Sequence, residues 1–307
     1  MMDFTVLRGN FLYPSPALCL STTLSLTSKA PWSSWLLCWI TMTLRHVRER
    51  SQDKLISDEE VSASLLKLFR ALFKSDLFRQ KEVLSFLPAS VQSAYQDTLT
   101  PCQFINRADH YNDKGASFFS NEVMLDTLGF SIHRAPSSLL SAGRGVFVAK
   151  GTVPKGTVMS MYPGTVYQTH EPIFFQSIRN PFVFRCIDGV LIDGNDNGIS
   201  KVVFRSCSGR DRLGPFKLSD ITWLTTAPEN PLAVGQYVNN CSYERSANVC
   251  YQEFDVPAEF PVELRQYLPN VNYRHDIQRP LRCVILVALR DIQQGEELFS
   301  NYYTIVH

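Results

Sequence analysis

In the first third of the chain, apolar positions recur at helical spacing, and the residues around them mark helix ends. Ser57 followed three residues later by Glu60 fits a capping box, in which the two side chains satisfy free amides of the first turn. The apolar positions that follow form one stripe: Val61, Leu65, Leu68, Phe69 and Leu72. The pattern predicts two shorter helices, over 80–87 (ending before a proline) and over 91–99. The stripe is typical of a packing surface.

The pattern changes after a polar, irregular stretch at 101–121, which we interpret as a linker. Beyond it, short runs rich in Val, Ile, Phe and Tyr are interrupted by Gly, Pro and Asn. Examples are 145–148, 182–184 and 284–287. Many short strands with frequent turns indicate a compact β domain. We therefore predict an α+β protein, mainly β, with a helical region and linker at 51–121 and a β domain at 122–307.

Residues 1–50 differ from the rest because they mix apolar residues with Ser, Thr and Pro. From residue 4 to residue 48 there is no Asp or Glu, whereas four Lys and Arg side chains are present. Such a segment resembles a mitochondrial presequence. We prefer a poorly ordered leader, and mitochondrial import stays open. The apolar run at 35–44 is too short to span a bilayer, so we predict no membrane segment.

Composition and charge narrow the class of protein. Apolar residues make up 45% of the chain and charged residues 19%, which excludes wholesale disorder. The net charge of +1 creates no overall attraction to nucleic acid, and we predict no direct nucleic-acid binding. The eight cysteines form no C-x-x-C pair and no secreted disulfide pattern. We interpret them as free thiols of an intracellular protein, in the cytoplasm or nucleus, and we predict no metal site.

Two glycines flank one residue at Gly143-Arg144-Gly145, directly before a short apolar run. Glycine lets the backbone approach a ligand closely and adopt turns that are closed to other residues. A hairpin turn gives the same pattern, so the motif alone leaves both interpretations open. A second segment, 158–164, is predicted to be a strand that runs into a turn, and it carries Tyr162.

Two further segments carry the remaining candidates. The run 235–242 contains the adjacent amides Asn239 and Asn240, which can hold a zwitterionic ligand by side-chain and backbone hydrogen bonds. A turn capped by its own Asn side chains explains the same run. The run 290–303 predicts a hairpin, with a strand at its start, a turn at Gly295 and a terminal tyrosine pair. Taken alone, such tyrosines are more often core residues with one hydrogen bond.

In their order along the chain, these four segments resemble the SET-domain lysine methyltransferases. The resemblance implies a SET-domain β fold in which a C-terminal segment threads the Asn-containing turn as a pseudoknot, a rare exception to unthreaded chains. It implies S-adenosyl-L-methionine as the cofactor. It also implies that the partner is a protein or peptide substrate carrying the target lysine, and that substrate and cofactor enter a narrow channel from opposite faces.

The resemblance assigns the cofactor-binding residues by their place in the motifs. Gly143, Arg144 and Gly145 would line the methionine part of the cofactor. Asn239 and Asn240 would bind its amino-acid and purine ends. These roles are carried over from the family.

Two tyrosines take the catalytic positions of the family. Tyr302 would lie where the cofactor sulfonium and the lysine meet, so it is both a catalytic and a cofactor-binding residue. Tyr162 would be a tyrosine of the lysine channel. A free lysine has a pKa of about 10.4, and an apolar aromatic channel lowers it by disfavouring the ammonium form. The chemistry requires no nucleophilic residue and no metal.

The chain departs from the family pattern within these motifs. Gln236 replaces an arginine, Asn240 a histidine and Thr165 a glutamate, and Ser300 replaces a bulky residue. The alternative function is therefore a catalytically inactive SET domain that serves as a protein-binding module. A helical adaptor that binds partners through 57–99 is a third hypothesis.

The stretch 195–234 is longer than the minimum in this family, where it helps to form the substrate groove. It contains five basic residues: Lys201, Arg205, Arg210, Arg212 and Lys217. They predict either contact with an acidic partner or a solvated face.

Overall fold

The computed structural model describes residues 54–77, 79–96, 113–140, 142–275 and 279–301, with the backbone alone for 96 and 113–118. The leader at 1–50, the first part of the predicted linker, and Tyr302 lie outside the described residues. Within the described residues, the chain forms a mainly β domain preceded by a helical region, as the sequence predicts.

The first described helix, α1 at Asp58–Ser75, confirms the predicted capping box and apolar stripe. The Ser57 hydroxyl accepts a hydrogen bond from the Glu60 amide at 3.2 Å, and the Glu60 carboxylate accepts one from the Ser57 amide at 2.8 Å. Every residue of the predicted stripe is buried. The helix is therefore held by its packing face and by a satisfied N-terminus.

Five further α-helices occur in the described residues. They are α2 at Lys81–Ser85, α3 at Ala89–Gln96, α4 at Asp113–Leu128, α5 at Phe174–Ser177 and α6 at Gly198–Arg210. The helix predicted over 80–87 is α2, and α3 begins before the predicted 91–99. The linker interpretation of 113–121 is wrong because α4 passes through it, with Ser120 and Met124 buried. None of these six helices has the length and apolar character needed to cross a membrane.

Thirteen β-strands occur in the described residues. They are β1 at Phe130–Pro136, β2 at Arg144–Gly151, β3 at Val158–Tyr162, β4 at Gly164–Tyr167, β5 at Val183–Arg185, β6 at Leu191–Asp193, β7 at Arg212–Leu213, β8 at Phe216–Lys217, β9 at Asn239–Asn240, β10 at Val249–Val256, β11 at Asn270–Asn272, β12 at Leu281–Ala288 and β13 at Phe299–Ser300. They form two hairpins, β1-β2 and β7-β8, a five-stranded sheet ordered β3-β12-β10-β13-β9, and a four-stranded sheet ordered β11-β4-β6-β5.

The five-stranded sheet has two different sides, which alternate along β10 as side chains of a strand must. Gln252 is buried on the side that α1 covers, and it accepts a hydrogen bond from the Leu55 amide at 2.8 Å. Tyr251 and Glu253 point to the opposite side and are partly exposed. The second side faces the smaller, four-stranded sheet.

The last described strand, β13, lies between β9 and β10 and runs parallel to both. Its residue Ser300 pairs with Asn240 of β9 and with Val249 of β10. The hairpin predicted for 290–303 is therefore wrong. The turn at Gly295 exists, with φ of 86°, but β12 pairs with β10 and β3. Insertion of the C-terminal strand between two earlier strands is the arrangement that a pseudoknot requires, and the segment that would thread it lies outside the described residues.

Residues 195–234, called the insert from here on, pack against the four-stranded sheet. Helix α6 of the insert contacts β4 and β11 and buries three side chains: Ser200, Phe204 and Cys207. The basic residues of the insert differ in their contacts. Arg210 bonds the carboxylate of Asp211 at 2.6 Å, whereas Arg205 is exposed on the outer face of the helix.

Candidate functional site

A cavity of about 430 Å³ opens where the β1-β2 connection, the insert and a short 3₁₀ turn at Gly235–Tyr237 meet. Its walls come from four stretches of the chain: 134–144, Phe182, 196–226 and Tyr237. The lining residues are Arg134, Ala142, Gly143, Arg144, Phe182, Asp196, Asn197, Lys201, Leu224, Thr225, Thr226 and Tyr237. Two of the predicted site residues, Gly143 and Arg144, are therefore on its surface.

The glycine turn is shaped by one buried carboxylate. Gly143 has φ of 72°, in the left-handed region that favours glycine. A Cβ at Gly145 would collide with the Glu297 carboxylate, which fills that space. The same carboxylate accepts hydrogen bonds from the Ser137 hydroxyl at 2.6 Å and the Ser138 amide at 2.8 Å. Glu297 thus ties the start of the β1-β2 connection to the C-terminal part of the chain.

The predicted asparagines lie beside this turn. The Asn239 side-chain amide donates to the Arg144 carbonyl at 3.0 Å, so the two motifs contact each other. Asn240 is half-buried on β9. Asn248 donates to the Glu297 carbonyl and accepts from the Phe299 amide, both at 2.8 Å. Asn248 therefore holds the backbone at the start of β13 in place.

Tyr237 contacts charged side chains of both signs in the cavity. The Arg134 guanidinium carbon lies 5.2 Å from the centre of its ring, and that of Arg144 lies 5.8 Å away. The Tyr237 hydroxyl donates to the Asp196 carboxylate at 2.6 Å. Burial, followed by the hydrogen bond to Asp196, raises the pKa of Tyr237 to about 12. The phenol is therefore neutral at physiological pH.

The wall contributed by the insert is held by backbone carbonyls. Arg134 donates to the carbonyls of Thr225 and Thr226 at 3.0 and 2.9 Å, which joins β1 to the insert. The Lys201 ammonium donates to the Leu224 carbonyl at 3.3 Å. These bonds hold two basic side chains, Arg134 and Lys201, against the same short segment at 224–226.

The segment 222–230, which contains these carbonyls, is anchored by the buried carboxylate of Asp220. One oxygen accepts from the Thr222 amide at 2.7 Å, and the other accepts from the Asn230 amide at 3.3 Å. Burial, assisted by the nearby charge of Glu229, raises the pKa of Asp220 to about 7. A group this far from solvent holds the two ends of the segment together while resisting ionisation.

An aromatic cluster, formed by Tyr162, Phe184 and Tyr251, lies next to the cavity. The ring centres are 4.9 to 6.2 Å apart, within the range of favourable ring contacts. The Tyr162 hydroxyl donates to the Phe182 carbonyl at 2.8 Å. Phe182 lines the cavity, and its ring lies 6.0 Å from the ring of Tyr237. Phe182 therefore adjoins both the cavity and the aromatic cluster.

A group of charges adjoins the aromatic cluster. Cys186, Asp188 and Glu253 bring potential metal ligands within 4.8 Å of one another. The Arg282 guanidinium bonds Glu253 at 2.5 Å and Asp188 at 3.0 Å, so it supplies the positive charge that these carboxylates require. Burial raises the pKa of the Cys186 thiol well above its usual range, which opposes formation of the thiolate that binds metals.

The structure brings together most of the residues singled out from the sequence. Gly143, Arg144 and Asn239 meet at one end of the cavity, and Gly145 lies beneath them against a carboxylate. Tyr162 lies on the other side of Phe182.

Sequence reasoning missed several residues that this geometry includes: Arg134, Phe182, Tyr237, Tyr251 and Glu297. Tyr237 and Glu297 stand inside the quoted motifs, so their place in the pattern was a usable signal. Tyr251 alternates with buried residues of β10, a signal readable once that strand is recognised. The sequence gives no signal for Arg134, because its hydrogen-bond partners lie 91 and 92 residues away along the chain.

Comparison with known proteins gives the family. The model of the SET domain matches residues 143–303. The chain is 65% identical over 277 residues to SET domain-containing protein 9 of Homo sapiens, covering 90% of this chain and 93% of that protein. It is 66% identical over 265 residues to SET domain-containing protein 9 of Pongo abelii, covering 86% of this chain and 97% of that protein.

Solved structures match part of the chain at low identity. The polycomb repressive complex 2 of Chaetomium thermophilum is 14% identical, covering 57% of this chain and 15% of that chain, with a TM-score of 0.29. The match to KRYPTONITE in complex with mCHH DNA, H3(1-15) peptide and SAH is 17% identical, covering 59% and 25%, with a TM-score of 0.30. The family model and the two relatives decide the assignment: the chain belongs to the SET domain family.

Proposed function

We propose that this protein is an S-adenosylmethionine-dependent protein-lysine N-methyltransferase. The observation that carries the proposal is the position of Phe182 between two different sites. Phe182 lines a polar cavity, and its carbonyl oxygen accepts a hydrogen bond from the Tyr162 hydroxyl in the aromatic cluster. A transferase needs one site for the donor and one for the acceptor, close enough for their reacting atoms to meet.

The residues of the cavity fit the cofactor. Its volume of about 430 Å³ is within the range of sites that enclose a small organic ligand. The lining combines aromatic rings, a glycine turn and charges of both signs. A ligand with a purine, a ribose and a zwitterionic amino-acid end requires this mixture of donors, acceptors and flat apolar surface.

Gly143 and Arg144 would form one wall of the cofactor site, with Asn239 and Asn240 behind them. Support for this comes from the bond between the Asn239 side chain and the Arg144 carbonyl, which keeps the two motifs in contact. Gly145 would act indirectly, by leaving room for Glu297. When bound, S-adenosylmethionine supplies an activated methyl group. The residues named here bind and orient that donor.

The aromatic cluster would hold the lysine of a protein or peptide substrate. Phe184 and Tyr251 are partly exposed, whereas Tyr162 is buried, so the cluster leads from the surface inward. Aromatic walls remove water from the lysine and favour its neutral form, which is the form that attacks a methyl group. The Tyr162 hydroxyl is fixed by the Phe182 carbonyl and contributes rigidity. Tyr302, by its motif position, would orient the amine.

Calorimetric titration of the full chain with S-adenosylmethionine tests the donor site. Gly143→Leu should lower the affinity by more than about 10-fold, or 1.4 kcal/mol, because the new side chain enters the cavity. Gly214→Leu is the matched control. Both glycines have positive φ (72° and 59°) and open space around the position of a Cβ, but Gly214 lies in the β7-β8 hairpin away from the cavity.

Turnover on a peptide array then separates the enzyme from its alternative. Methylation of lysine-containing peptides by the wild-type protein, but not by Gly143→Leu, supports the proposal. Cofactor binding with no methylation of any peptide or full-length protein offered would favour the catalytically inactive, protein-binding SET domain. Equal affinity of Gly143→Leu and Gly214→Leu would remove the cavity from the cofactor site.

A further inference from the structure

Two neighbouring helices expose apolar side chains that the proposed function does not use. On α5, Phe174 and Phe175 are 70% and 69% exposed, and their ring centres are 5.4 Å apart. Ile178, directly after α5, is also exposed. Helix α6 contacts α5 and exposes Ile199 and Val202, which lie three positions apart and therefore on one side of the helix. These five residues are called the apolar face from here on. An exposed apolar patch with polar surroundings is typical of an interaction site.

The apolar face is held in place by hydrogen bonds at the end of α5. The Asn180 side-chain amide donates to the Gln176 carbonyl at 2.8 Å and to the Asp193 carboxylate at 2.7 Å, and its oxygen accepts from the Phe182 amide at 2.9 Å. Arg179 has φ of 52°, which no other non-glycine residue matches in sign among the described residues. The bonds of Asn180 hold the chain in this uncommon conformation. The apolar face is therefore ordered before a partner arrives, which lowers the cost of binding.

The charges around the apolar face are all positive. The segments 172–179 and 198–210 contain no Asp or Glu and four basic residues: Arg179, Lys201, Arg205 and Arg210. Lys201 donates to a backbone carbonyl, and Arg210 is paired with Asp211. Arg179 and Arg205 are exposed, and within the part of the chain that the structure describes neither makes a hydrogen bond or an ion pair. The apolar face is thus flanked by two free guanidinium groups.

These charges distinguish between the possible occupants of the apolar face. A second copy of the chain would bring the same basic residues. The leader has no Asp or Glu from residue 4 to residue 48, so it repels the two arginines as well. Stable attachment to an anionic membrane requires a cluster of basic residues or a lipid anchor, and two arginines fall short of a cluster. A carboxylate, in contrast, matches the fork of an arginine and accepts from two N–H groups at once.

We propose that the apolar face docks an acidic, amphipathic segment of a partner protein. Apolar side chains of that segment cover Phe174, Phe175 and Val202, and its Asp or Glu side chains pair with Arg179 and Arg205. The inference goes beyond the proposed function and does not depend on methyl transfer. The partner binds next to the cavity without entering it, because α5 is joined through Asn180 to the cavity residue Phe182.

Selection of random phage-displayed peptides on the immobilised full chain tests the docking site, and fluorescence anisotropy measures the affinity of each peptide obtained. The selected peptides should combine large apolar residues with Asp and Glu. Phe175→Ser should weaken their binding by about 10-fold or more, as truncation of a central aromatic contact does at other interfaces. Arg205→Glu should weaken it by roughly 10-fold, because the new carboxylate repels those of the peptide. Replacing Asp and Glu of the peptide with Lys should restore binding to Arg205→Glu.

Two matched variants serve as controls. Phe86→Ser repeats the first change at a phenylalanine that is 63% exposed, and Lys67→Glu repeats the charge reversal at an exposed residue of α1. Both lie in the helical region, and both should leave the affinity unchanged. Urea denaturation verifies that each variant folds. If Phe175→Ser does not fold, Arg205→Glu with the charge-reversed peptides decides the question.

The outcomes separate the possible occupants. Acidic peptides that lose affinity in Phe175→Ser and Arg205→Glu, but in neither control, support the proposal. A selection in which every peptide is basic or uncharged, or binds both variants as tightly as the wild-type protein, overturns it. Three other results would assign the face to a different occupant and would equally overturn it, provided that Phe175→Ser abolishes them. They are binding of a synthetic peptide of residues 1–50, dimerisation of the full chain, and binding to vesicles of phosphatidylserine and phosphatidylcholine.

Discussion

The two sides of the β3-β12-β10 sheet are built from alternate residues of the same strands, yet they differ in kind. On the side covered by α1, Gln252 is a buried polar side chain, and its amide bonds the backbone of residues 55 and 56. On the other side, Tyr162 and Tyr251 form aromatic contacts beside the partly exposed ion pair of Glu253 and Arg282. The α1 side is mainly apolar, and its buried Gln252 is hydrogen-bonded. The opposite side combines aromatic rings with charged side chains.

The difference shows which physical constraint acts on each side of the sheet. The α1 side must exclude water, so apolar area and satisfied hydrogen bonds decide its residues. Under the proposed function, the other side receives the lysine of a substrate, so aromatic rings and charged side chains are both found there. Under the proposed function, changes on the first side should alter stability alone, and changes on the second should alter binding or turnover.

The largest effect is expected from the α1 side. Leu68→Ala removes a side chain that is 0% exposed and should lower the free energy of unfolding by about 2–5 kcal/mol, from lost burial and the cavity left behind. Affinity for S-adenosylmethionine should stay unchanged at temperatures where the variant is folded. Urea denaturation and calorimetry measure the two quantities.

Leu140→Ala is the control for this pair of measurements, because Leu140 is 99% exposed. It should alter stability by no more than about 0.5 kcal/mol. A large loss of cofactor affinity in folded Leu68→Ala would contradict the comparison, since it would show that the two sides of the sheet are coupled.

The second prediction concerns turnover. Tyr302→Phe should reduce methyl transfer by about 100-fold, as loss of one preorganised polar group does in other active sites. Stability and cofactor affinity should change little, because phenylalanine keeps the ring and the hydroxyl acts mainly in the transition state. The measurement is single-turnover methylation of a substrate found on the array.

Tyr303→Phe is the matched variant, one residue away in the same motif. It should remain active. Full activity of Tyr302→Phe together with an inactive Tyr303→Phe would show that the motif has been aligned one residue out of register.

Local patterns predicted the α1 side well. The capping box and the apolar stripe depend on residues three or four positions apart, and the structure confirms both. Helix α4 was missed because its turns carry many polar residues. Ser120 and Met124 are buried by packing against other parts of the chain, which spacing alone does not show.

The residues around the cavity were predicted only in part. The motifs supplied Gly143, Arg144 and Asn239, which meet at the cavity. Strand partners were not predictable: the turn at Gly295 exists, but the residues after it pair with β9 and β10. Local periodicity identifies a strand without naming its neighbour. Arg134 was missed for the same reason, since its role comes from contacts with the distant insert.

The last prediction concerns pH, and it tests the buried carboxylate that anchors the insert, Asp220. Burial raises the pKa of Asp220 from 3.8 to about 7, so the folded protein keeps a proton that the unfolded chain releases between these values. The free energy of unfolding should therefore fall as pH rises through this window. The contribution is at most about 1.4 kcal/mol per pH unit, the limit for a difference of one proton.

Asp220→Asn removes this titration while keeping the size of the side chain. Its urea midpoints, measured from pH 4.5 to 7, should decline less steeply than those of the wild-type protein, even if the variant is less stable overall through a weakened bond to the Thr222 or Asn230 amide. Asp126→Asn removes one exposed negative charge and controls for net charge. Parallel wild-type and Asp220→Asn curves would mean that Asp220 is ionised in the folded state. The insert would then be anchored by a charged group.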